Sequence, residues 1–523
     1  MGAGAVVEDT ERRLAPLVVG SNLAWWEANV DAGPETERRR VDADLALTDL
    51  LGEPELLRTV EQARTEATEP LVRRQLDLLC HWLLPNQVPD SLRRRIIELE
   101  ASVESAYATH RGVVRGRELD DNALKRVLRT SESSEERRAA WEASKTVGAL
   151  VADRVCELAR LRNTAATSLG FRDWFALAVA TSEMDEQRLF ATLAETEQVT
   201  REPFARWKAE VDGRLAERYG VPVAELRPWH YDDPFFQEVP TAGGVQLDPV
   251  FAGRDVVTLA GQTFDALGLE TAPIVARSDL FPRGGKSQHA FCMDVDRAGD
   301  IRVLANVVHD RYWAETMLHE LGHAVYDAGF DRALPWLLRD THLTVTEGVA
   351  ILMGRLASDA EWLGEVAGMG ADAVAMSAAL RRFQSADLLV FTRWVLVMTN
   401  FERALYADPE SDLDAIWWEL VRRYQLVSPP PDRRAPDWAA KIHIACSPVY
   451  YHTYLYGNLV ASQLNAMLVR EAGGLVGRPE AGRMLVDRVF APGESLRWDR
   501  LIAEATGKPL SARAYAADIA AGL

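Results

Sequence analysis

The sequence predicts a mostly α-helical protein with one small β-sheet. Stretches such as 91–112 and 134–170 place apolar residues at helical spacing with charged residues between them. Two runs, HAFCMDV and IRVLANVV, are typical of β-strands and are joined by the turn sequence DRAGD. The chain then returns to helical patterning, with one clear break at LVSPPPDRRAPDWAA, where four prolines exclude a helix.

The first 230 residues are predicted to be helical scaffold, and their charged runs are most simply solvated helix faces. Ser131 and Ser133 are candidate N-cap residues for the helix over 134–170, and Gly170 is the candidate residue that ends it. From Trp229 to Asp248 the chain is richer in proline and glycine, which predicts a loop.

Composition narrows the class of protein. The 523 residues suffice to bury a large core, and 48% hydrophobic with 26% charged residues is typical of soluble globular proteins. A net charge of −19 argues against nucleic acid and anionic membrane as partners. The absence of an 18-residue apolar run predicts no transmembrane helix. The four cysteines are widely spaced and form no CxxC pair, which predicts reduced thiols. The N-terminus lacks the features of a signal peptide, so we expect a cytoplasmic location.

The segment AETMLHELGHAVYDAG contains the pattern H-E-x-x-H. Residues i and i+4 share one helix face, so His319 and His323 can offer their imidazoles to one zinc ion. Glu320 points to the side of that ion, where it can accept a proton from a water without being a ligand. The alternative is an exposed amphipathic helix that carries two histidines.

A catalytic zinc needs a third protein ligand. Glu347 lies 24 residues after His323, at the start of the next predicted helix, which could return it to the metal. The alternative for Glu347 is a glutamate favoured there by the helix dipole. His342 and His309 are rival ligands.

Several ordered motifs identify a family at this point. Upstream of H-E-x-x-H, the segment QHAFCMDV is similar to a C-H-A-S-A-W-D-F strand, and downstream IWWELVRRYQLVSPPP leads to KIHI and SPVYYHTYLYG. With the 24-residue spacing to Glu347, these resemble the angiotensin-converting-enzyme family of zinc dipeptidyl carboxypeptidases. The resemblance covers most of the chain and is strongest from about 230 to 470.

The resemblance implies a role for each matching residue. His319, His323 and Glu347 would bind Zn²⁺, and Glu320 would be the general base. The remaining implied residues are His289 and the Ala290 backbone for aligning the substrate, His443 and Tyr454 for the oxyanion, and Gln237, Lys441 and Tyr451 for the substrate's C-terminal carboxylate.

The tyrosine assignment has an alternative. The family places its catalytic tyrosine ten residues after its histidine, whereas Tyr454 lies eleven after His443. Without an inserted residue, Tyr450 replaces Tyr451, and Thr453 takes the oxyanion position. We prefer Tyr454, because a phenol can donate a proton and threonine is too short.

Three positions depart from the family pattern. Ile351 replaces an aspartate that orients a ligand histidine, so that carboxylate is either missing or supplied from elsewhere, with Asp327 and Asp340 as candidates. Thr453 replaces a chloride-binding arginine, which puts chloride activation in doubt. Gln288 replaces a cysteine, so the family disulfide is absent.

By resemblance, residues 1–523 form a single peptidase domain of two interleaved lobes around a deep central channel. Lid-like helices would span about 1–115, catalytic segments about 230–470, and the small sheet would lie beside the active-site helix. The implied function is zinc-dependent hydrolysis of short peptides with release of C-terminal dipeptides. The alternatives are hydrolysis of a specialised amide in a biosynthetic pathway and a non-catalytic zinc-containing binding protein.

Overall fold

A computed structural model describes residues 2–241 and 245–523. Over these residues the chain is mostly helical and its strands form two antiparallel pairs, which confirms the predicted fold class. None of the described helices is both long enough and apolar enough to cross a membrane. In chain order the helices and strands are α1 (Ala3–Val30), α2 (Pro34–Leu51), α3 (Pro54–Glu66), α4 (Pro70–Leu83), α5 (Asp90–Thr109), β1 (Gly112–Val114), β2 (Arg117–Leu119), α6 (Asp121–Thr130), α7 (Ser134–Ser168), α8 (Trp174–Thr181), α9 (Glu186–Tyr219), α10 (Asp248–Phe251), α11 (Val256–Ala266), α12 (Ala272–Arg277), β3 (Phe291–Asp294), β4 (Ile301–Leu304), α13 (Arg311–Ala328), α14 (Leu343–Gly354), α15 (Ala360–Glu365), α16 (Ala371–Ala407), α17 (Leu413–Leu420), α18 (His443–Cys446), α19 (Tyr451–Ala472), α20 (Pro479–Leu485), α21 (Trp498–Thr506) and α22 (Arg513–Ala520).

The chain forms two compact units, each built from three separate stretches. The first unit comprises Met1–Gln87, Gln246–Leu380 and Tyr456–Tyr515, and the second comprises Val88–Val245, Arg381–Leu455 and Ala516–Leu523. The N-terminal segment predicted to be lid-like is therefore divided between the two units.

Helices α2, α3 and α4 of the first unit each begin with a proline. Pro34, Pro54 and Pro70 each stand at the first helical position, where the missing amide hydrogen costs nothing and the fixed φ suits a helix. The apolar faces of α1, α3 and α4 pack together into one buried cluster, whose members include Val6, Leu14, Val60 and Leu76.

Both strands predicted between residues 289 and 308 exist, but they are shorter than the apolar runs. Strands β3 and β4 pair antiparallel, with Phe291 opposite Leu304. His289 and Ala290 therefore lie just before β3 and not within it.

The second unit contains a hairpin that the helical interpretation of the first 230 residues omits. Strands β1 and β2 pair antiparallel, with Val114 opposite Arg117. The turn between them places Arg115 at φ 51 and Gly116 at φ 76. Helix α5 ends at Thr109, so the predicted helical stretch over 91–112 stops three residues early.

The boundaries of the longest predicted helix follow its capping chemistry. The Ser133 hydroxyl accepts a hydrogen bond from the Glu136 amide at 3.3 Å, which confirms Ser133 as the N-cap of α7. Ser131 lies at the end of α6 instead. Helix α7 ends at Ser168, and Gly170 follows at φ 85, as expected for a helix stop.

Candidate functional site

Helix α13 carries both histidines of the H-E-x-x-H pattern. It begins after Asp310, whose carboxylate accepts a hydrogen bond from the Trp313 amide at 2.8 Å. His319 and His323 stand one turn apart, and their Nε2 atoms lie 3.2 Å from each other. The helix thus presents two imidazole nitrogens to one point in space.

Helix α14 brings a carboxylate to the same point. The Oε2 atom of Glu347 lies 3.7 Å from the Nε2 atom of His319, and one ligand atom from each of the three residues lies within 4.8 Å of the others. The rival ligands are elsewhere, because the His342 side chain accepts a hydrogen bond from the Thr344 amide at the start of α14 and His309 is exposed before α13.

A glycine permits the close approach of the two helices. A Cβ atom at Gly322 would stand 3.0 Å from the Cα of Ala350 and 3.3 Å from the Cγ of Met353. Helices α13 and α14 therefore touch backbone to backbone one residue before His323, and this contact fixes the distance from the histidines to Glu347.

The three residues fit a zinc ion. Two imidazole nitrogens and a carboxylate oxygen are the donor set of many catalytic zinc sites. Zinc–nitrogen bonds of about 2.0–2.1 Å in tetrahedral geometry separate two nitrogens by about 3.3 Å, and the two Nε2 atoms are 3.2 Å apart. The arrangement therefore needs little rearrangement to hold the metal.

Both imidazoles are neutral at physiological pH, as metal ligands must be. Burial lowers the pKa of His319 to about 4, although 27% of that side chain remains accessible. Burial and the adjacent His319 lower the pKa of His323 well below its usual range.

A hydroxyl group orients the second histidine. The Nδ1 atom of His323 lies 2.6 Å from the Oγ1 atom of Thr346, the residue before Glu347. Metal-binding histidines usually hydrogen-bond through their other nitrogen in this way. Of the two carboxylates predicted as candidates for such a role, Asp327 and Asp340, the second forms an ion pair with Arg297.

Glu320 is buried beside β3, with 8% of its surface exposed. Burial raises the pKa of its carboxyl group to about 8, and the negative charge of Glu347 adds to this, while a hydrogen bond from the Cys292 amide acts in the opposite direction. A bound dication would also favour the ionised carboxylate. The Glu320 carboxyl group therefore gains and loses its proton much closer to neutral pH than an exposed glutamate does.

The residues before β3 are open to solvent. His289 is exposed and Ala290 is half-buried. The next residue, Phe291, contacts the ring of Trp25 on α1 with ring centroids 4.3 Å apart. The end of α1 therefore packs against the beginning of the strand that contacts Glu320.

A second group of predicted site residues converges in the second unit. The Lys441 ammonium donates a hydrogen bond to the Gln237 side chain at 2.9 Å, although the two residues are 204 positions apart. The same ammonium lies 5.7 Å from the ring centroid of Tyr451 and 5.4 Å from that of Trp394. Burial lowers the pKa of Lys441 to about 8.

Tyr451 connects this group to the predicted oxyanion residues. Its ring centroid is 5.1 Å from that of His443 and 5.6 Å from that of Tyr454, which stands three residues along α19. Tyr450 contacts Tyr454 but precedes the helix, and Thr453 is buried, with 5% of its surface exposed.

Comparison with family models gives two matches. A model described as peptidase family M3 matches residues 127–521, more than half of the chain, and a model described as angiotensin-converting enzyme matches residues 1–226. The chain belongs to peptidase family M3. A search of curated proteins found no match. Both families consist of zinc-dependent metallopeptidases, so this M3 peptidase is a zinc metallopeptidase that hydrolyses peptides.

Two features of the peptidase's metal centre could not be found by motif. The Thr346 hydroxyl and the Cys292 amide contact His323 and Glu320 from other elements, and neither belongs to a recognisable pattern. All four cysteines, including Cys292, are free thiols, as their spacing predicts.

Proposed function

We propose that this peptidase releases dipeptides from the free C-termini of short peptides. The observation that carries the proposal is the Lys441–Gln237 hydrogen bond of 2.9 Å beside the ring of Tyr451. These are the three residues that the sequence motifs assign to the substrate carboxylate, and they come together from distant parts of the chain.

The chemistry around Lys441 favours a carboxylate ligand. Three rings surround the ammonium, with the centroid of Phe235 at 5.5 Å and those of Trp394 and Tyr451 at similar distances. Burial among such groups disfavours the charged form of a lysine, and an anionic ligand reverses that effect. A peptide with a free C-terminus supplies that anion, whereas a peptide amide does not.

Glu320 is the proposed general base for hydrolysis. When bound, zinc supplies a Lewis acid that polarises the scissile carbonyl and lowers the pKa of water. Glu320 accepts the proton of the attacking water and transfers it to the leaving amine. Burial raises the pKa of Glu320 to about 8 and a bound dication would lower it, so the carboxylate can accept a proton and then release it near neutral pH.

His443 and Tyr454 are the proposed donors to the oxyanion of the tetrahedral intermediate. The ring contacts of both residues with Tyr451 support this assignment. Thr453 is a poorer candidate, because its side chain is short and buried. His289 and the backbone of Ala290, which lie open before β3, are proposed to align the substrate chain.

The test is mass spectrometry of the products from a short peptide, offered with a free C-terminus and as its amide. We expect wild type to release dipeptides from the free peptide only. Glu320→Gln is expected to lose about 10²–10⁴-fold in kcat and to keep its zinc. Lys441→Met is expected to raise KM for the free peptide, while Lys508→Met, at an exposed lysine, serves as the matched control.

The outcomes separate the parts of the proposal. Equal cleavage of both peptides would keep the Glu320 mechanism and remove the carboxylate-binding role of Lys441. Internal cleavage without release of dipeptides would identify an oligopeptidase. Zinc-loaded wild type that cuts neither peptide would contradict the proposed substrate and leave a specialised amide as the substrate to test.

We also propose a cytoplasmic location for the peptidase. The proposal is supported by the four free thiols at Cys80, Cys156, Cys292 and Cys446, because reduced cysteines are typical of that compartment. Fractionation of cells that express the native chain tests this proposal, and recovery outside the cytoplasm would contradict it.

A further inference from the structure

The segment between His443 and Tyr451 has an unusual backbone. It joins α18 to α19. Val449 stands there at φ 58, in the left-handed region. A β-branched residue in that region is strained by contacts between its side chain and the backbone. Such a conformation persists only where surrounding groups hold it.

Glu402 holds the strained residue. Its Oε1 atom accepts a hydrogen bond of 2.6 Å from the Val449 amide. Glu402 belongs to α16 and is almost fully buried, with 1% of its surface exposed. A buried carboxylate is costly without strong partners, so its position under this turn requires a compensating interaction.

Arg162 holds the other end of the same turn. Its guanidinium, on α7, donates a hydrogen bond of 2.6 Å to the Ala445 carbonyl and another of 3.2 Å to the Tyr406 hydroxyl. It also lies 3.5 Å from the Glu100 carboxylate. Charge-assisted hydrogen bonds of this kind are stronger and more directional than those between neutral groups.

The two buried side chains thus fix both ends of a short turn. Arg162 holds Ala445, two residues after His443, and Glu402 holds Val449, two residues before Tyr451. Burial raises the pKa of Glu402 to about 8, while the hydrogen bond from the Val449 amide and the charge of Arg162 act in the opposite direction. The contact of 5.1 Å between the rings of His443 and Tyr451 spans this turn.

We propose that Glu402 and Arg162 are positioning residues, which hold the turn 445–449 so that His443 and Tyr451 keep the arrangement that peptide hydrolysis requires. The role in catalysis rests on the proposed function above. The role in positioning does not, because the turn and its buried partners are features of the second unit alone.

The experiment compares Glu402→Gln, Glu402→Asp and Glu402→Leu. Glutamine keeps the acceptor and the reach, aspartate keeps the charge but is shorter by one carbon, and leucine removes the acceptor. We expect kcat to stay within about threefold of wild type for glutamine and to fall about tenfold for aspartate. The leucine variant should approach the 10²–10³-fold loss typical of a removed oxyanion donor.

A second readout is independent of peptide cleavage. The protein is labelled with 3-fluorotyrosine, and the Tyr451 resonance is assigned with Tyr451→Phe. We expect Glu402→Asp and Arg162→Met to shift or broaden that resonance and Glu402→Gln to leave it in place. When Val449→Gly is added to Glu402→Asp, we expect kcat and the Tyr451 resonance to return part of the way to wild type. Glycine adopts a positive φ without strain, so it depends less on Glu402.

The matched control is Glu494→Gln and Glu494→Asp. Glu494 is another buried carboxylate, paired with Arg74 in the first unit. Its variants should leave the Tyr451 resonance unchanged. An unchanged resonance and an unchanged kcat in Glu402→Asp would overturn the positioning role, and so would equal losses in the glutamine and aspartate variants. If wild type cleaves no peptide and Glu402→Asp still shifts the Tyr451 resonance, the positioning role stands and only the proposed function is rejected.

Discussion

We expect a single residue, Lys441, to make peptide binding depend on pH. Burial lowers its pKa to about 8, so the ammonium is charged below that pH and neutral above it. The facing charges are those of Asp233, Glu238 and Asp121, which raise its pKa, and Lys125, which lowers it. We expect KM for a free-acid peptide to rise as the pH passes about 8.

The control for this pH effect is a pair of variants. Lys441→Arg keeps its charge to higher pH, so its KM should stay level through the same range. Lys441→Met should have a high KM at every pH. A wild-type KM that is flat between pH 7 and 9.5 would mean that the charge of Lys441 does not bind the substrate.

We expect Thr346 to increase zinc affinity through its contact with His323. Its hydroxyl lies 2.6 Å from the Nδ1 atom of the histidine. Thr346→Val keeps the shape of the side chain and removes that partner, so we expect zinc affinity to fall about 10–100-fold. Competition with a fluorescent chelator measures the change. Thr346→Ser should bind like wild type, and a valine variant that also does so would contradict the orienting role.

The sequence predicts the ligands better than it predicts their partners. The i, i+4 spacing of His319 and His323 follows from helix geometry alone. Thr346 contacts His323 only because α14 folds back against α13, and no local pattern encodes that hydroxyl contact. The position where the family has an orienting aspartate is Ile351 in this chain. A search for carboxylates alone therefore could not find the Thr346 hydroxyl, which contacts His323.

The packing of helix α13 against helix α14 depends on Gly322. A Cβ atom there would stand 3.0 Å from the Cα of Ala350, and backbone cannot move aside as a side chain can. We expect Gly322→Ala to lower the free energy of unfolding by about 1–3 kcal/mol, as overpacking does. It should also weaken zinc binding, because the separation of α13 and α14 sets the distance to Glu347.

The control for this substitution is Gly20→Ala. Gly20 lies within α1, and its added methyl would meet no atom within 4 Å. The change should stabilise the protein by about 0.5–1 kcal/mol through helix propensity. Thermal melts measure the change in stability of both variants, and zinc titrations measure the change in zinc affinity. A Gly322→Ala protein that gains stability like Gly20→Ala would show that the helix contact tolerates a methyl group.

Element boundaries followed the sequence where the chemistry is local. Ser133 begins α7 through its own side chain, and prolines begin α2, α3 and α4. The hairpin β1–β2 was missed, because strands of three residues are too short for an alternating pattern. Val449 could not be predicted either, since its positive φ depends on Glu402, 47 positions away.

The division into two units is a property of the whole molecule, and local sequence patterns do not predict it. Each unit draws on three stretches, and three of the boundaries fall within helices α16, α19 and α22. Periodicity identifies such helices but does not say which unit buries each part of them. The motifs, by contrast, predicted one metal site formed by His319, His323 and Glu347, because these residues lie on consecutive predicted helices.

Metal binding links this site to the stability of the whole chain. The three candidate ligands come from α13 and α14 in the first unit, and the unfolded chain does not hold them together. A ligand that binds only the native state adds about 2.7 kcal/mol at one hundred times its Kd. We therefore expect a chelator to abolish activity and lower Tm by a few degrees, with both restored by zinc.

Two variants separate this linkage from other effects of chelation. Glu320→Gln should keep the full zinc-dependent change in Tm, because Glu320 is proposed as a base and not as a ligand. His323→Gln should show the low Tm with or without zinc. A chelator-induced decrease in Tm that persists in His323→Gln would place the stabilising metal elsewhere. An unchanged Tm in wild type, with activity lost, would mean that zinc completes the catalytic chemistry without stabilising the fold.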